Sequence, residues 1–256
     1  MMQVDLNADM GEGYGDWRIG DDMALLDIVT SANVACGAHA GDWDVMATTM
    51  LRAAERGVGI GAHPGFADLQ GFGRRRIAMP EDSVANLVAW QLGAARGVAA
   101  SVGAEVRHFK LHGALSNMSC EDEGLARAAY AAALRVDPGI ILLVLAGTVQ
   151  ERVAKELGAA WAGEVFADRG YNDDATLVTR GQPGAMIHDP QAAAARMVRF
   201  VTTGAIEAAS GRAIPAAIDS ICLHGDGPEA VAIARAVRAA LEAEGVTLAP
   251  MVARQG

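Results

Sequence analysis

Cysteine is scarce in this chain of 256 residues: Cys36, Cys120 and Cys222 are too few and too dispersed for a disulfide framework or a cysteine-rich zinc site. No neighbouring pattern activates a thiol, so burial as small apolar side chains is expected for Cys36 and Cys222, which lie near proposed strand ends. Basic residues are also in deficit. Lys and Arg number 21 against 31 Asp and Glu, a formal charge of -10 with a pI near 5.0. That balance disfavours a nucleic-acid surface while leaving room for a local pocket that takes a small anion. Long apolar runs are missing too. No window is free of charge over the length needed to span a bilayer, and "MMQVDLNADMGEG" has no basic region followed by an apolar stretch. A soluble, cytoplasmic protein in a reducing compartment is expected, with no membrane partner. Neither GxxxxGKS/T nor a GxGxxG leading into a helix occurs, so an intrinsic nucleotide site finds no support.

What the chain does have is apolar material, 52% of residues with 20% charged, enough for a sizeable core. Short Val- and Ile-rich runs recur as "QVDL", "SANVAC", "VGIGAH", "VRHFKL", "IILLVLA", "GEVFA" and "DSICLHG". Between most of them lie alanine-rich stretches with helical spacing, at 21–29, 42–56, 81–100, 121–136, 148–158, 190–209 and 228–244. Asp42, Pro80 and the pair Asp189 and Pro190 punctuate helix starts, and Gly57, Gly158 and Gly245 mark stops. Alternating strands and helices predict parallel strands covered by helices. One domain over 1–256 is expected, an α/β fold closed as an irregular seven-stranded (β/α) barrel of TIM type in preference to an open sheet, with a weaker strand near "VTLAPMV". The segment 168–187 is too long for a routine connection and reads as a lid or rim excursion.

The six histidines are His39, His63, His108, His112, His188 and His224, and at least four follow an apolar run beside Gly, Pro or Ala. In a barrel such strand ends converge on one face. "DLNADMGEG" puts Asp5, Asn7 and Asp9 on one face at period two; Asn7 and Asp9 are assigned to the pocket, and Asp5 either joins them or closes the floor. His39 and His63 are pocket candidates, and imidazole nitrogen is also a good ligand for divalent metals. Of the consecutive arginines at 74–76, Arg74 is the one expected to meet an anion. Lys110 and His112 share a strand face. A lysine inside an apolar strand is hard to explain as core material. Lys110 can stabilise developing oxygen charge and His112 can move a proton. His108 lies deeper, with a buried polar layer as its competing role. Glu164 and Asp168 share a broad face with Arg169 beside them, and a rim salt bridge competes with a site role. Asp189 is explained as a cap, leaving His188 a modest candidate. Asp219 and His224 are assigned to the pocket, with Asp226 near the following helix start.

The ordered set "DLNADMGEG", "SANVACGAHAGD", "GIGAHPGFADLQGFGRR", "KLHGALSN", "EVFADRGYNDDATLVTR", "GAMIHDP" and "ICLHGDGPEAV" resembles the LamB/YcsF family over nearly the whole chain. The resemblance implies an irregular barrel related in shape to glycoside hydrolase and deacetylase barrels. It also implies action with two further subunits, B and C, in ATP-dependent opening of the lactam 5-oxoproline, a small anion, to L-glutamate. ATP would then be a cosubstrate of the complex rather than a ligand of this chain alone. On that footing Asp9 or Glu164, assisted by His112, would take a proton from water while Lys110 or Arg74 steadies negative charge. Asn7, His39, His63, Asp168, Arg169, Asp219 and His224 would bind substrate. Two alternatives stand beside it: a metal-dependent hydrolase or deacetylase using Asp9, His39 and His63, and a noncatalytic lactam-binding subunit. Homo-oligomerisation is left open. "KLHGALSN" departs from the family-typical KPHGALYN at Leu111 and Ser116, and Ala38 stands where a larger aromatic residue is common, changes that reshape the rim and keep the polar set.

Overall fold

The computed structural model describes residues 2–224 and 229–256. Strands β1 (Gln3–Met10), β2 (Ser31–Ala35), β3 (Gly59–His63), β4 (Val106–Lys110), β5 (Ile141–Leu145) and β6 (Ala160–Phe166) lie side by side in chain order, all parallel. A short antiparallel hairpin of β7 (Ala205–Glu207) and β8 (Ala213–Pro215) intervenes. Then β9 (Ser220–Leu223) pairs with β6 on one side and β1 on the other, which closes a seven-stranded barrel. The tail adds two small strands outside the ring: β10 (Thr247–Leu248) beside β1, and β11 (Arg254–Gln255) antiparallel to β6. The expected weak strand at "VTLAPMV" is therefore β10, an annex too short to be an eighth stave.

Eight helices cover the described barrel: α1 (Asp22–Leu26), α2 (Trp43–Glu55), α3 (Glu81–Ser101), α4 (Gly113–Ser119), α5 (Glu123–Val136), α6 (Val149–Glu156), α7 (Pro190–Thr203) and α8 (Ala230–Ala243). Asp42 and Asp189 accept from the open amides of α2 and α7, and Pro190 occupies the first turn of α7. Pro80 is instead the residue before α3, extended at ψ 144°. The helix expected through 209 stops at Thr203, because Gly204 adopts a left-handed φ of 63° and turns the chain into β7. Apolar spacing in "VTTGAIEAA" does not distinguish a last helical turn from a short strand. None of the described helices is long and apolar enough to cross a membrane.

Strands of a parallel barrel are buried on both faces, so they should read as nearly continuous apolar runs. Leu6, Ala8, Met10, Val34, Phe109, Leu142, Val144, Val165 and Ile221 meet that expectation and pack in the main hydrophobic core. Leu143, Ala162 and Met251 form a separate small apolar cluster. On β1, β2, β4, β6 and β9 the alternate positions are polar and equally buried: Asp5, Asn7, Asp9, Ser31, Asn33, His108, Lys110, Glu164 and Ser220. Those positions build the site.

Candidate active site

The deepest layer is a hydroxyl cradle around Asp5. Thr30 Oγ1 and Ser31 Oγ donate to Asp5 Oδ1 at 2.5 and 2.7 Å, and Ser220 Oγ donates to Oδ2. Burial outweighs these donors and pushes the carboxyl up to about 6. Asp5 thus closes the floor, the second of its two expected roles. Above it, Asn7 Nδ2 donates to Ser220 Oγ at 2.7 Å, and Asn33 Nδ2 donates to both Asn7 Oδ1 and Asp9 Oδ1, at 2.7 and 2.9 Å. His108 Nε2 is 2.8 Å from Asn33 Oδ1, so this histidine belongs to the polar layer beneath the cavity. Its ring fits only because residue 61 is glycine: a Cβ there would lie 2.1 Å from His108 Nε2. The β3 to β4 register is irregular between Ile60 and Gly61.

At the carboxyl ends of the strands Lys110 becomes the hub. Its Nζ donates to Asp9 Oδ1 at 2.8 Å and to Asn7 Oδ1 at 3.3 Å, pairs with Glu164 Oε1 at 2.8 Å, and lies 3.1 Å from Cys222 Sγ. Burial alone would discharge the ammonium, but Asp9 first, then Cys222 and Glu164, hold its pKa well above the ordinary value. Burial likewise raises Asp9, and the charges of His63 and Lys110 together reverse that and keep it well below the usual carboxylate range. For Glu164 burial prevails over the attraction of Lys110, so this carboxyl is raised. Two carboxylates around one cation are driven apart in acidity, the arrangement that separates a fixed charge from a proton carrier.

Three imidazoles stand on the other side of Asp9. His63 Nε2 is 3.3 Å from Asp9 Oδ2 and 3.0 Å from His112 Nδ1. Nδ1 of His63 meets the Lys110 carbonyl at 2.9 Å, and Nε2 of His112 meets the Phe72 carbonyl at 2.8 Å. His39 stacks on His112, with ring centroids 3.7 Å apart and planes at 5°. It is 1% exposed, and neither of its ring nitrogens has a hydrogen-bond partner among the described residues. Nε2 of His39 and Nδ1 of His112 each lie 3.8 Å from Glu12 Oε1. Burial, followed by repulsion from neighbouring charges, depresses His39 strongly and His112 to about 3. Glycine again makes the room, since a Cβ at Gly73 would meet His39 Cβ at 2.7 Å and His112 Cδ2 at 2.8 Å. Ligand atoms of Glu12, His39, His63 and His112 all lie within 4.8 Å of one another, close enough to share one ion, and those of Asp9, Cys222 and His224 do the same separately.

Over this layer opens a cavity of about 370 Å³, lined among others by Asp9, His63, Lys110, His112, Phe166 and His224. Four arginines face it: Arg74, Arg76, Arg169 and Arg180. Arg74 sits over the Phe72 ring, and Arg76 holds Glu121 at 2.7 and 3.1 Å. Arg169 donates to the carbonyls of Ala185 and Val178, and burial brings it down to about 10. Residues Thr176–Arg180 contribute to the lining, so the segment 168–187 does form part of the rim. Leu111 and Ser116, the two departures in "KLHGALSN", line the cavity as well.

His224 Nδ1 is 2.8 Å from both oxygens of Asp168, and its ring lies against Phe166. Burial raises Asp168 and His224 pulls it below its ordinary value. Asp168 thereby fixes the ring with Nδ1 protonated and leaves Nε2 as the exchangeable nitrogen. The expected residues among those described thus converge, except Asp219 and His188. Asp219 precedes β9 at the opposite end of the barrel, where it pairs with Arg254 at 2.8 Å and accepts from Gly163 N, outside the cavity. His188 is exposed ahead of α7. Asp226 lies outside the described residues. All three cysteines are buried. Asn33, which ties Asp9 to His108, is a residue not singled out from the sequence, though an asparagine at an inward position of "SANVA" carries the same signal as Asn7.

A closed parallel barrel that gathers carboxylates, a lysine and imidazoles at the carboxyl ends of its strands has the build of a barrel enzyme. The chain belongs to the LamB/YcsF family, whose sequence model matches residues 4–256. It is 62% identical over 248 residues to the A subunit of 5-oxoprolinase from Ruegeria pomeroyi, spanning 97% of this chain and 98% of that protein. The crystal structure of the lactam utilization protein from Thermus thermophilus superimposes with a TM-score of 0.91 at 42% identity, over 97% of this chain and 99% of that one. The catalytic domain of the peptidoglycan N-acetylglucosamine deacetylase from Eubacterium rectale shares the fold, with a TM-score of 0.51 at 12% identity over 97% and 88% of the two chains.

Proposed function

We propose that this chain is the lactam-opening subunit of an ATP-dependent 5-oxoprolinase: together with 5-oxoprolinase subunits B and C, it hydrolyses the cyclic amide of 5-oxoproline to L-glutamate. The observation that carries this reading is the 62% identity, over 97% of the chain, to the A subunit of a 5-oxoprolinase. The site chemistry agrees with it. Ring opening requires water to add to the amide carbonyl carbon, the carbon to nitrogen bond to break, and the ring nitrogen to gain a proton. Lys110, kept charged by Asp9, is the electrostatic partner for the oxygen that becomes negative. Glu164, raised by burial, and His224, oriented by Asp168, are the two proton carriers. Arg74 and Arg169 at the rim suit the carboxylate of the substrate. Activation by ATP falls to the complex, since this chain carries no phosphate-loop motif.

The test is glutamate formation from 5-oxoproline by each combination of the three subunits, with and without ATP. Turnover only in the full mixture with ATP is the expected result. Turnover by this chain alone without ATP, or none in the complete mixture, would overturn the assignment.

A further inference from the structure

With one hydrogen on each ring, the nitrogens that His63 and His112 turn toward each other have none between them. Each ring has one nitrogen facing a backbone carbonyl, Lys110 O at 2.9 Å and Phe72 O at 2.8 Å, and a carbonyl only accepts. Those nitrogens therefore carry the hydrogens. The remaining nitrogens, His63 Nε2 and His112 Nδ1, then point lone pairs at each other across 3.0 Å. Two acceptors at that distance repel unless a positive charge sits between them. Glu12 Oε1, 3.8 Å from His112 Nδ1, turns a further electron-pair donor toward that gap, and Asp9 Oδ2 lies 3.3 Å from His63 Nε2.

We propose that His63 Nε2 and His112 Nδ1, with a carboxylate oxygen of Glu12, bind one divalent first-row transition-metal ion. Ligand atoms about 2.0–2.2 Å from a tetrahedral ion stand about 3.3–3.6 Å apart, and the observed separations of 3.0 and 3.8 Å bracket that span. Donation of the second ring N–H to a backbone carbonyl is also what orients metal-binding histidines. His39 is a wall rather than a ligand. Its plane is nearly parallel to that of His112, 5° apart with centroids at 3.7 Å, so the in-plane lone pairs of the two rings do not meet at one point. The all-nitrogen and oxygen donor set suits zinc, cobalt or manganese. The rival occupant of the gap is a single shared proton. Neither depends on 5-oxoproline being the substrate.

The experiment uses the full chain, stripped with a chelator and titrated with Co²⁺ and then Zn²⁺. One Co²⁺ per chain, a visible ligand-field absorption and displacement by Zn²⁺ are expected. His63→Ala and His112→Ala should each weaken Co²⁺ binding by about tenfold or more, Glu12→Gln should weaken it too, and His188→Ala, at an exposed histidine, should not. Circular dichroism on every sample establishes that the fold is retained. Folded wild-type protein that takes up neither ion overturns the proposal, as does a folded His63→Ala, His112→Ala double variant that binds Co²⁺ as tightly as wild type.

Discussion

The ammonium of Lys110 lies 2.8 Å from Glu164 Oε1, and both groups are buried, 3% exposed each. Asp9 Oδ1 sits at the same distance on another side of Nζ. One cation is therefore shared by two largely buried carboxylates at the base of the cavity.

Removing that cation should be costly in two ways. Lys110→Ala leaves buried carboxylates uncompensated, and a loss of about 3–5 kcal/mol of unfolding free energy is expected in urea titrations. Lys110→Met keeps most of the volume but not the charge, so it should match the alanine variant in activity while filling the space better. In the three-subunit assay, glutamate formation by either variant should fall by about 10²-fold or more. Unchanged turnover in a folded variant would remove Lys110 from the chemistry.

Under the proposed reaction, Asp168 should act through His224, whose Nδ1 it holds at 2.8 Å. Asp168→Asn should release the Nδ1–H tautomer, lowering kcat by about 10²-fold while leaving KM nearly unaltered. The pH profile is the discriminating readout. A purely structural role would lower kcat equally at every pH, whereas a positioning role changes the shape of the profile.

Asp5 makes stability depend on pH in a direction opposite to that of most carboxylates. Its folded pKa of about 6 lies above the ordinary 3.8, so the fold prefers the protonated form. The contribution is fully present below about pH 4 and is lost as pH rises through about 6, a change of about 3 kcal/mol at 1.36 kcal/mol per unit. The difference in unfolding free energy between wild type and Asp5→Asn, measured from pH 4 to 7.5, should therefore move against wild type with rising pH. A difference independent of pH would contradict this.

Gly61→Ala should be among the most damaging one-carbon additions available, because the new Cβ would press on a buried imidazole that is hydrogen-bonded to Asn33. A loss of about 3 kcal/mol is expected from the melting transition. Gly97→Ala, on α3 where nothing lies within 4 Å of the added carbon, should be neutral or mildly stabilising.

Much of the barrel and of its polar lining was legible in the sequence, for one reason. A charged or amide side chain at period two within an apolar strand has few roles except lining an interior, which picked out Asn7, Asp9, Lys110 and Glu164. Period two assigns a face, however, and not a height along the strand. Asp219 shares its strand with His224 but precedes the ladder instead of following it, and it spends its charge on Arg254. Pairings between strands far apart in sequence, such as Asn33 with Asp9 and His112 with His63, depend on register and were not available from any local pattern. The short hairpin of β7 and β8 was hidden because three-residue strands carry too little periodicity to displace a helical pattern.

The hydroxyl cradle beneath Asn7 makes the barrel a cup with one mouth. With Asp5, Ser31 and Ser220 at no more than 1% exposure and Met251 at 7%, no second passage among the described residues leads out through the floor. Among the described residues, the rim is therefore the one approach to Lys110 and Asp9, so the groups that line it meet any ligand before the buried charges do.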